Sequence, residues 1–299
     1  CPGSARLIKN SGKLHKSAAN LGACAILFAG KSAKTMHQFC AFEPEDSSSA
    51  SREIMDENLM RLTANLAQGR YEYSCDGRAM PVQDDWQLGR DEQGRQLLVS
   101  RRLVGEQGHG IEVRALMDAG LVTECRISWK DEVDEVNAHY RLAPQDGQGP
   151  HMGDAIEATW TGPNGVQQSV IEGHNRLLFP LMRIFMGPLL LRLCDMEFGC
   201  EVVAPDIVDP SQRGKLLAPR VSHRRAAIVA GDANIQGVHD LGPDITVFSY
   251  QGDEAERDTH CFVDPRGLLV GYDWPSSTGR LWQVRLRDLE WSPELKALC

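Results

Sequence analysis

The sequence predicts a mainly β fold of the α+β class, an antiparallel meander curved around a single apolar helix. Three observations carry that expectation. Apolar residues alternate with polar ones from Tyr71 onward, the period of half-buried strands. Short turn signatures separate these runs. The alternation is broken once, by the strongly apolar stretch LLFPLMRIFMGPLLLRLCD from Leu177 to Asp195.

Composition sets the outer limits. The chain has 299 residues, 42% hydrophobic and 24% charged, close to globular averages, so a sizeable core is affordable on composition alone. A single β domain of about 220 residues fits common β-sandwich and barrel sizes. The formal charge of -9 argues against nucleic acid as a partner, because phosphate neutralisation requires clustered Lys and Arg. Nine cysteines stand singly, with no C-x-x-C pair and no histidine at zinc-finger spacing. That pattern suits buried thiols in a reducing compartment, and a cytoplasmic location is expected.

The domain expected over residues 69–291 is preceded by an extension, residues 1–68, and followed by a tail, residues 292–299. The first residue is Cys1, and Met36, Met55 and Met60 each offer a start, so part of the extension reads as upstream sequence. Leu21-Gly22-Ala23-Cys24 resembles a lipoprotein cleavage box, which makes an exported lipoprotein the alternative location. Its apolar run, Ala25 to Ala29, follows the cysteine instead of preceding it. Glu43 to Ser51 reads as a linker. Ile54, Leu59, Leu62 and Leu66 fall near one helical face, which predicts a short helix near 52–67.

Strands follow in order. Tyr71, Tyr73 and Cys75 share one face, then Trp86 and Leu88, with Asp76-Gly77 as a turn. Ile111, Val113, Ala115 and Met117 form the next clear face, and Ala119-Gly120 returns the chain to Thr123, Cys125, Ile127 and Trp129. Val136, Ala138 and Tyr140 continue the period, and Ile156, Ala158 and Trp160 pair through residues 162–165 with Val166 and Val170. In the last third, Asp264-Pro265-Arg266-Gly267 is a strong turn signature, after which Tyr272 and Trp274, then Trp282, Val284 and Leu286, resume the alternation. Residues 221–229 suit strand or helix equally.

The apolar stretch 177–195 is a poor membrane span, since Pro180, Arg183, Gly187, Pro188 and Arg192 interrupt it. Pro180 suits a first helical turn, and Gly187-Pro188 should split the stretch in two. It reads as a helix filling the sheet, with the wall of an apolar ligand cavity and an interfacial helix as the alternatives.

The layout, the apolar helix partway along it and the ending FVDPRGLLVGYDWPSSTGRLWQVRL resemble the bacterial lipid-binding half-barrels, the lipoprotein-carrier-like and putative glycolipid-binding families. The resemblance implies a half-barrel with an apolar cavity, covers residues 69–291, and carries no catalytic motif.

Searches for chemistry return little. No G-x-x-x-x-G-K-[ST], G-x-G-x-x-G, H-E-x-x-H or G-x-S-x-G occurs, so no cofactor and no metal are expected. Among the histidines, His174 ranks first as a catalytic candidate, because it lies beside Asn175 and Arg176 at the mouth of the apolar stretch. His139 ranks second, on the face opposite Tyr140. Asp84-Asp85 reads as the end of a turn, and Asp273 as a solvated strand residue. Trp129, Tyr140, Trp160, Tyr272 and Trp282 lie on apolar strand faces that would line either core or pocket. Phe179 and Met182 would join them from the helix, with Arg176, Arg183 or Arg192 answering an acidic head group.

The expected function is binding of an apolar or lipid-like small molecule between sheet and helix. The alternative is a cofactor-independent isomerase, cyclase or hydratase acting in the same cavity. A homodimer in which the apolar helix covers a partner's sheet is a third reading.

Overall fold

Alternation and turn chemistry build the molecule hairpin by hairpin. The computed structural model describes residues 60–104, 109–131, 134–143, 155–162, 165–173, 175–207, 212–229, 241, 244–252, 259–276 and 278–293. The first meander runs β1 (Ala64–Cys75), β2 (Arg78–Arg90), β3 (Gln96–Val104), β4 (His109–Asp118), β5 (Leu121–Lys130), β6 (Glu135–Ala143), β7 (Ala155–Gly162) and β8 (Gly165–Glu172). Two of its returns use paired left-handed residues, Asp76-Gly77 (φ 50° and 74°) and Ala119-Gly120 (φ 48° and 78°). This is the backbone of tight hairpins whose twist matches that of the strands.

Next comes the apolar stretch, which contributes β9 (Leu177–Leu178), a 3-10 turn (Arg183–Phe185) and one α-helix, α1 (Met186–Cys194). The second meander is β10 (Cys200–Pro205), β11 (Pro219–Ile228), β12 (Thr246–Gln251), β13 (His260–Val263), β14 (Leu269–Pro275) and β15 (Leu281–Trp291).

These fifteen strands form one curved, unclosed sheet in the order β8-β7-β6-β5-β4-β3-β2-β1-β15-β14-β13-β12-β11-β10-β9. Consecutive strands are sheet neighbours within each meander, β8 and β9 lie at the two ends of the sheet, and the meanders meet where β1 pairs antiparallel with β15. Among the described residues only the short β9–β10 pairing, Leu177 and Leu178 with Val202 and Val203, is parallel. Residues facing inward form the main core. Tyr71, Val113, Cys125, Tyr140, Ile156 and Val284 are each fully enclosed. The segment 221–229, which suits strand or helix in sequence, is strand as far as Ile228, within β11.

Two local expectations are corrected. The helix near 52–67 falls partly outside the described residues, and from Ala64 onward the chain is strand β1. Leu62 and Leu66 have helical spacing, but β1 has a pairing partner on each side, β2 and β15, and tertiary pairing overrides a weak local preference. Met60, instead of extending a helix, is buried against Leu97 and Leu116 in a small cluster separate from the main core.

The helix over 177–195 is also shorter than expected. Leu177–Leu178 is a strand, Leu181 takes a left-handed conformation (φ 67°) that interrupts the chain, and α1 spans nine residues. Pro188 does not break the helix but occupies its first turn, where backbone N–H groups need no intrahelical acceptor. The segment still fills the sheet: Phe179, Met182, Phe185, Leu190 and Leu193 are buried in the main core. Among the described residues no helix is long and apolar enough to cross a membrane.

One backbone contact seats the helix. A Cβ at Gly187 would lie 2.0 Å from the Gly267 carbonyl oxygen and 3.1 Å from the Leu269 amide nitrogen, so α1 touches the turn between β13 and β14 without any side chain between them. Gly187→Ala is therefore expected to destabilise the fold by about 1–3 kcal/mol through overpacking against backbone. Urea unfolding should show a lower midpoint with an unchanged slope; an unchanged midpoint would refute this account of the contact.

Candidate functional site

The interior contains two regions of different chemistry. The first is polar. Strand parity turns Val82, Asp84 and Trp86 to the same face, and that face is inward, so the Asp84 carboxylate is completely buried. Arg102 stands directly opposite Asp84 in the β2–β3 register, and its Nη2 donates to Asp84 Oδ2 at 3.0 Å. Ser100, two residues earlier on the same face of β3, donates its hydroxyl to Oδ1 at 2.7 Å. The Tyr73 hydroxyl and the Arg183 backbone N–H approach Oδ2 at 3.5 Å, the outer limit of a hydrogen bond.

Arg183 enters from the 3-10 turn. Its guanidinium carbon lies 4.5 Å from the ring centroid of Tyr272 and 5.4 Å from that of Trp274. Trp274 in turn stacks on Trp282 at 5.8 Å with an interplanar angle of 16°. The aromatic faces receive the half-buried cation of Arg183. Burial pushes the Tyr73 phenol above its ordinary pKa, against the pull of Arg102. Within this group the Asp84 carboxylate pairs with the Arg102 guanidinium and meets Arg183 only through its backbone N–H, while the Arg183 guanidinium lies against the aromatic rings.

The second region is an apolar recess between the β4–β5 turn, β6, β9 and α1. Leu121, Val122, Leu142, Leu178, Phe185 and Leu189 form most of its wall, around a space of about 20 Å³. That space is large enough for a single water. Arg176 stands at its edge with its side chain only 15% exposed. Nε donates to Glu201 Oε2 at 2.6 Å, while Nη1 is buried without a hydrogen-bond partner. The guanidinium fills the place of the missing side chain at Gly173, where a Cβ would come within 2.6 Å of its central carbon.

The residues singled out in the sequence divide between these regions. Arg176 and Phe179 line the recess. Arg183, Tyr272 and Trp282 belong to the polar region, and Met182 is fully buried at the residue before Arg183. Tyr140 is a core residue whose hydroxyl donates to the Leu217 carbonyl at 2.6 Å. Trp129 is likewise core, and Trp160 is half-buried on β7. Arg192 is not among the recess lining; it lies half-exposed in the last turn of α1, 3.8 Å from Asp195. His174 lies outside the described residues. His139 takes the face opposite Tyr140 and bonds Glu124 at 2.8 Å.

Two carboxylates were misread. Asp84 does not end a turn, because it sits within β2; the parity it shares with Val82 and Trp86 was the available signal. Asp273 is not solvated: it is buried and paired with Arg285, whose Nη2 reaches Oδ2 at 3.0 Å. Parity places Asp273 opposite Tyr272 and Trp274, but β14 is covered on both faces, which alternation alone does not reveal.

No family model matches the sequence, and no curated protein does. Among solved structures, the beta-barrel-like protein of the domain of unknown function DUF1849 from Brucella abortus matches with a TM-score of 0.45 and 11% identity. The match covers 77% of this chain and 99% of that one, and the description of that protein names a shape and no ligand.

Removing the buried carboxylate should be costly. Asp84→Asn keeps the size of the side chain but removes the buried charge that accepts from Arg102 and Ser100, with an expected loss of about 3–5 kcal/mol in urea unfolding. A loss of under about 1 kcal/mol, near the ordinary range of a surface substitution, would show that the fold does not depend on this charge.

The buried thiols and phenols set an alkaline limit. Burial raises the Tyr71, Tyr73 and Tyr140 phenols above their ordinary value of 10.0 and pushes the Cys200 thiol up from 9.0 to about 11. A group whose pKa is raised in the fold contributes stability that is intact below its unfolded pKa and is lost as pH climbs above it. The urea midpoint is expected to fall progressively from about pH 9 upward. A midpoint that stays flat up to the ordinary pKa of Tyr and beyond would contradict this.

Proposed function

We propose that the protein binds a small amphipathic molecule, with its apolar body against the recess between β5, β9 and α1 and its polar end at Arg176. The supporting observation is the pairing of an apolar wall with one guanidinium whose Nη1 is buried and unpartnered. An unmet buried donor costs about 1–3 kcal/mol, and a carboxylate or carbonyl oxygen of a ligand would recover part of that. Each methylene withdrawn from water adds about 0.8 kcal/mol. The enclosed space is about 20 Å³, so an alkyl chain enters by displacing wall residues, of which Leu121, Leu142 and Pro188 are only half-buried.

The catalytic alternative, an isomerase, cyclase or hydratase, needs a group at the recess that exchanges protons near neutral pH. Arg176 is the ionisable side chain in the described lining, and a guanidinium stays protonated. Binding is therefore the reading that the lining favours.

Native mass spectrometry of protein purified without detergent, followed by titration with dodecanoate against a displaced fluorescent probe, tests this reading. Leu189→Trp is expected to fill the recess and weaken dodecanoate binding by about tenfold or more, read at a temperature where circular dichroism shows the variant folded. Arg176→Met should weaken dodecanoate but not dodecanol. No measurable binding, or binding indifferent to Leu189→Trp, would overturn the proposal.

A further inference from the structure

The two ends of the sheet are unequal. At one end β9 is two residues long, while at the other β8 offers an eight-residue edge that, among the described residues, has a strand on one side only. Edge strands in monomers are commonly protected by lysine, proline, a bulge or a short length. Strand β8, GVQQSVIE, has no lysine, arginine or proline, and it pairs with β7 in unbroken register from Gly165 to Glu172. Its outward face presents Val166, 46% exposed, and Val170, 59% exposed.

We propose that β8 pairs antiparallel with β8 of a second copy of this chain, about a two-fold axis at Gln168. The sequence of the strand is self-complementary in that register. Val166 of one copy faces Val170 of the other, and the reverse, which gathers four valines on the outward face. Gln167 faces Ser169 on the inward face, and Gln168 meets its own counterpart. Every outward apolar position thus meets an apolar one, and every internal polar position a polar one. A shift of one residue along the strand would set valine against glutamine or serine and would put opposite faces together.

Charge agrees with this register. Each copy carries a formal net charge of -9, but the charged residue in β8 is Glu172, at the end of the strand. The two Glu172 carboxylates lie eight residue steps apart along the paired strands, about 27 Å, beyond the screening length at physiological salt. The contact is isologous and closes on itself, so it produces a dimer and not a fibre. Main-chain hydrogen bonds supply affinity, and the valine cluster selects the register.

Sedimentation of the full chain, with two substitutions, tests the pairing. The wild-type protein is expected to be dimeric at micromolar concentration, and Val170→Lys, which sets a lysine against Val166 of the second copy, should weaken the dimer tenfold or more with an unchanged circular dichroism spectrum. Gln168→Cys brings two thiols to the two-fold axis with Cα atoms about 5 Å apart, within disulfide reach. Oxidation should then yield a covalent dimer whose linked peptide joins position 168 to itself. Val166→Cys is the register control: its two copies lie about 14 Å apart and should not link through that position. This pair of cysteine variants decides the question even if Val170→Lys fails to fold. A wild-type monomer at tens of micromolar with no linkage at position 168 would overturn the proposal. So would a dimer that withstands Val170→Lys, or one that links at position 166 in preference to 168.

Discussion

The pairing of β1 with β15 makes two meanders into one molecule. Tyr71 faces Leu286, Tyr73 faces Val284 and Cys75 faces Trp282, residues more than 200 positions apart in sequence. Each of the other antiparallel contacts joins strands adjacent in the chain, which local turns can establish; this one requires a long loop to close before its hydrogen bonds form. Side chains reinforce it from both flanks. The Tyr71 hydroxyl donates to the Leu269 carbonyl at 2.8 Å, and Asp76, in the turn after β1, accepts from the Leu281 amide and the Arg280 guanidinium at 2.9 and 2.8 Å. Burial raises the Tyr71 phenol well above its ordinary pKa, which is the electrostatic mark of a hydroxyl withdrawn from water with a single acceptor.

Joining the meanders creates a curved sheet whose concave side has to be filled. Residues 177–194 fill it, and their irregularity follows from the task. A single long helix would present one apolar stripe, whereas a strand, a left-handed residue, a 3-10 turn and a short helix direct apolar groups towards several walls. The same segment carries Arg183 inward, where Tyr272 and Trp274 lie against its guanidinium and its backbone N–H approaches Asp84. A buried carboxylate of this kind is weak evidence for stability in itself. Here it sets which way the segment lies, because Asp84 meets the Arg183 backbone as well as the Arg102 side chain. The recess at Arg176 lies beyond this polar group, at the β4–β5 end of the filled interior, and the edge at β8 is on the sheet itself, so the two proposed surfaces do not share residues.

Legibility differed by the kind of signal. Hairpins were readable because the period of two and the turn residues are local: Asp76-Gly77, Ala119-Gly120 and Asp264 to Gly267 each turn where expected. Helices were read less well. Leu62 and Leu66 had helical spacing by coincidence, and the prolines of the apolar stretch were assigned the wrong positions, since Pro188 and not Pro180 lies in the first turn of α1. Of the candidate ligand residues, Arg176 and Phe179 line the recess, while Tyr140 and Trp129 are core. Phe179, Tyr140 and Trp129 are all buried aromatic residues, and whether such a residue meets a neighbour or a space depends on distances across the sheet that no local pattern encodes.

By itself the sequence determined the β class, the two meanders, most of the turns and which side of each strand is apolar, because all of these rest on interactions between residues near in the chain. Only the tertiary structure decided that β1 and β15 join the meanders, that Asp84 and Asp273 are buried with arginine partners, and that the concave side is nearly full. These depend on which distant surfaces come to face each other. A buried carboxylate opposite an arginine and a solvated one have the same spelling until the partner strand is known.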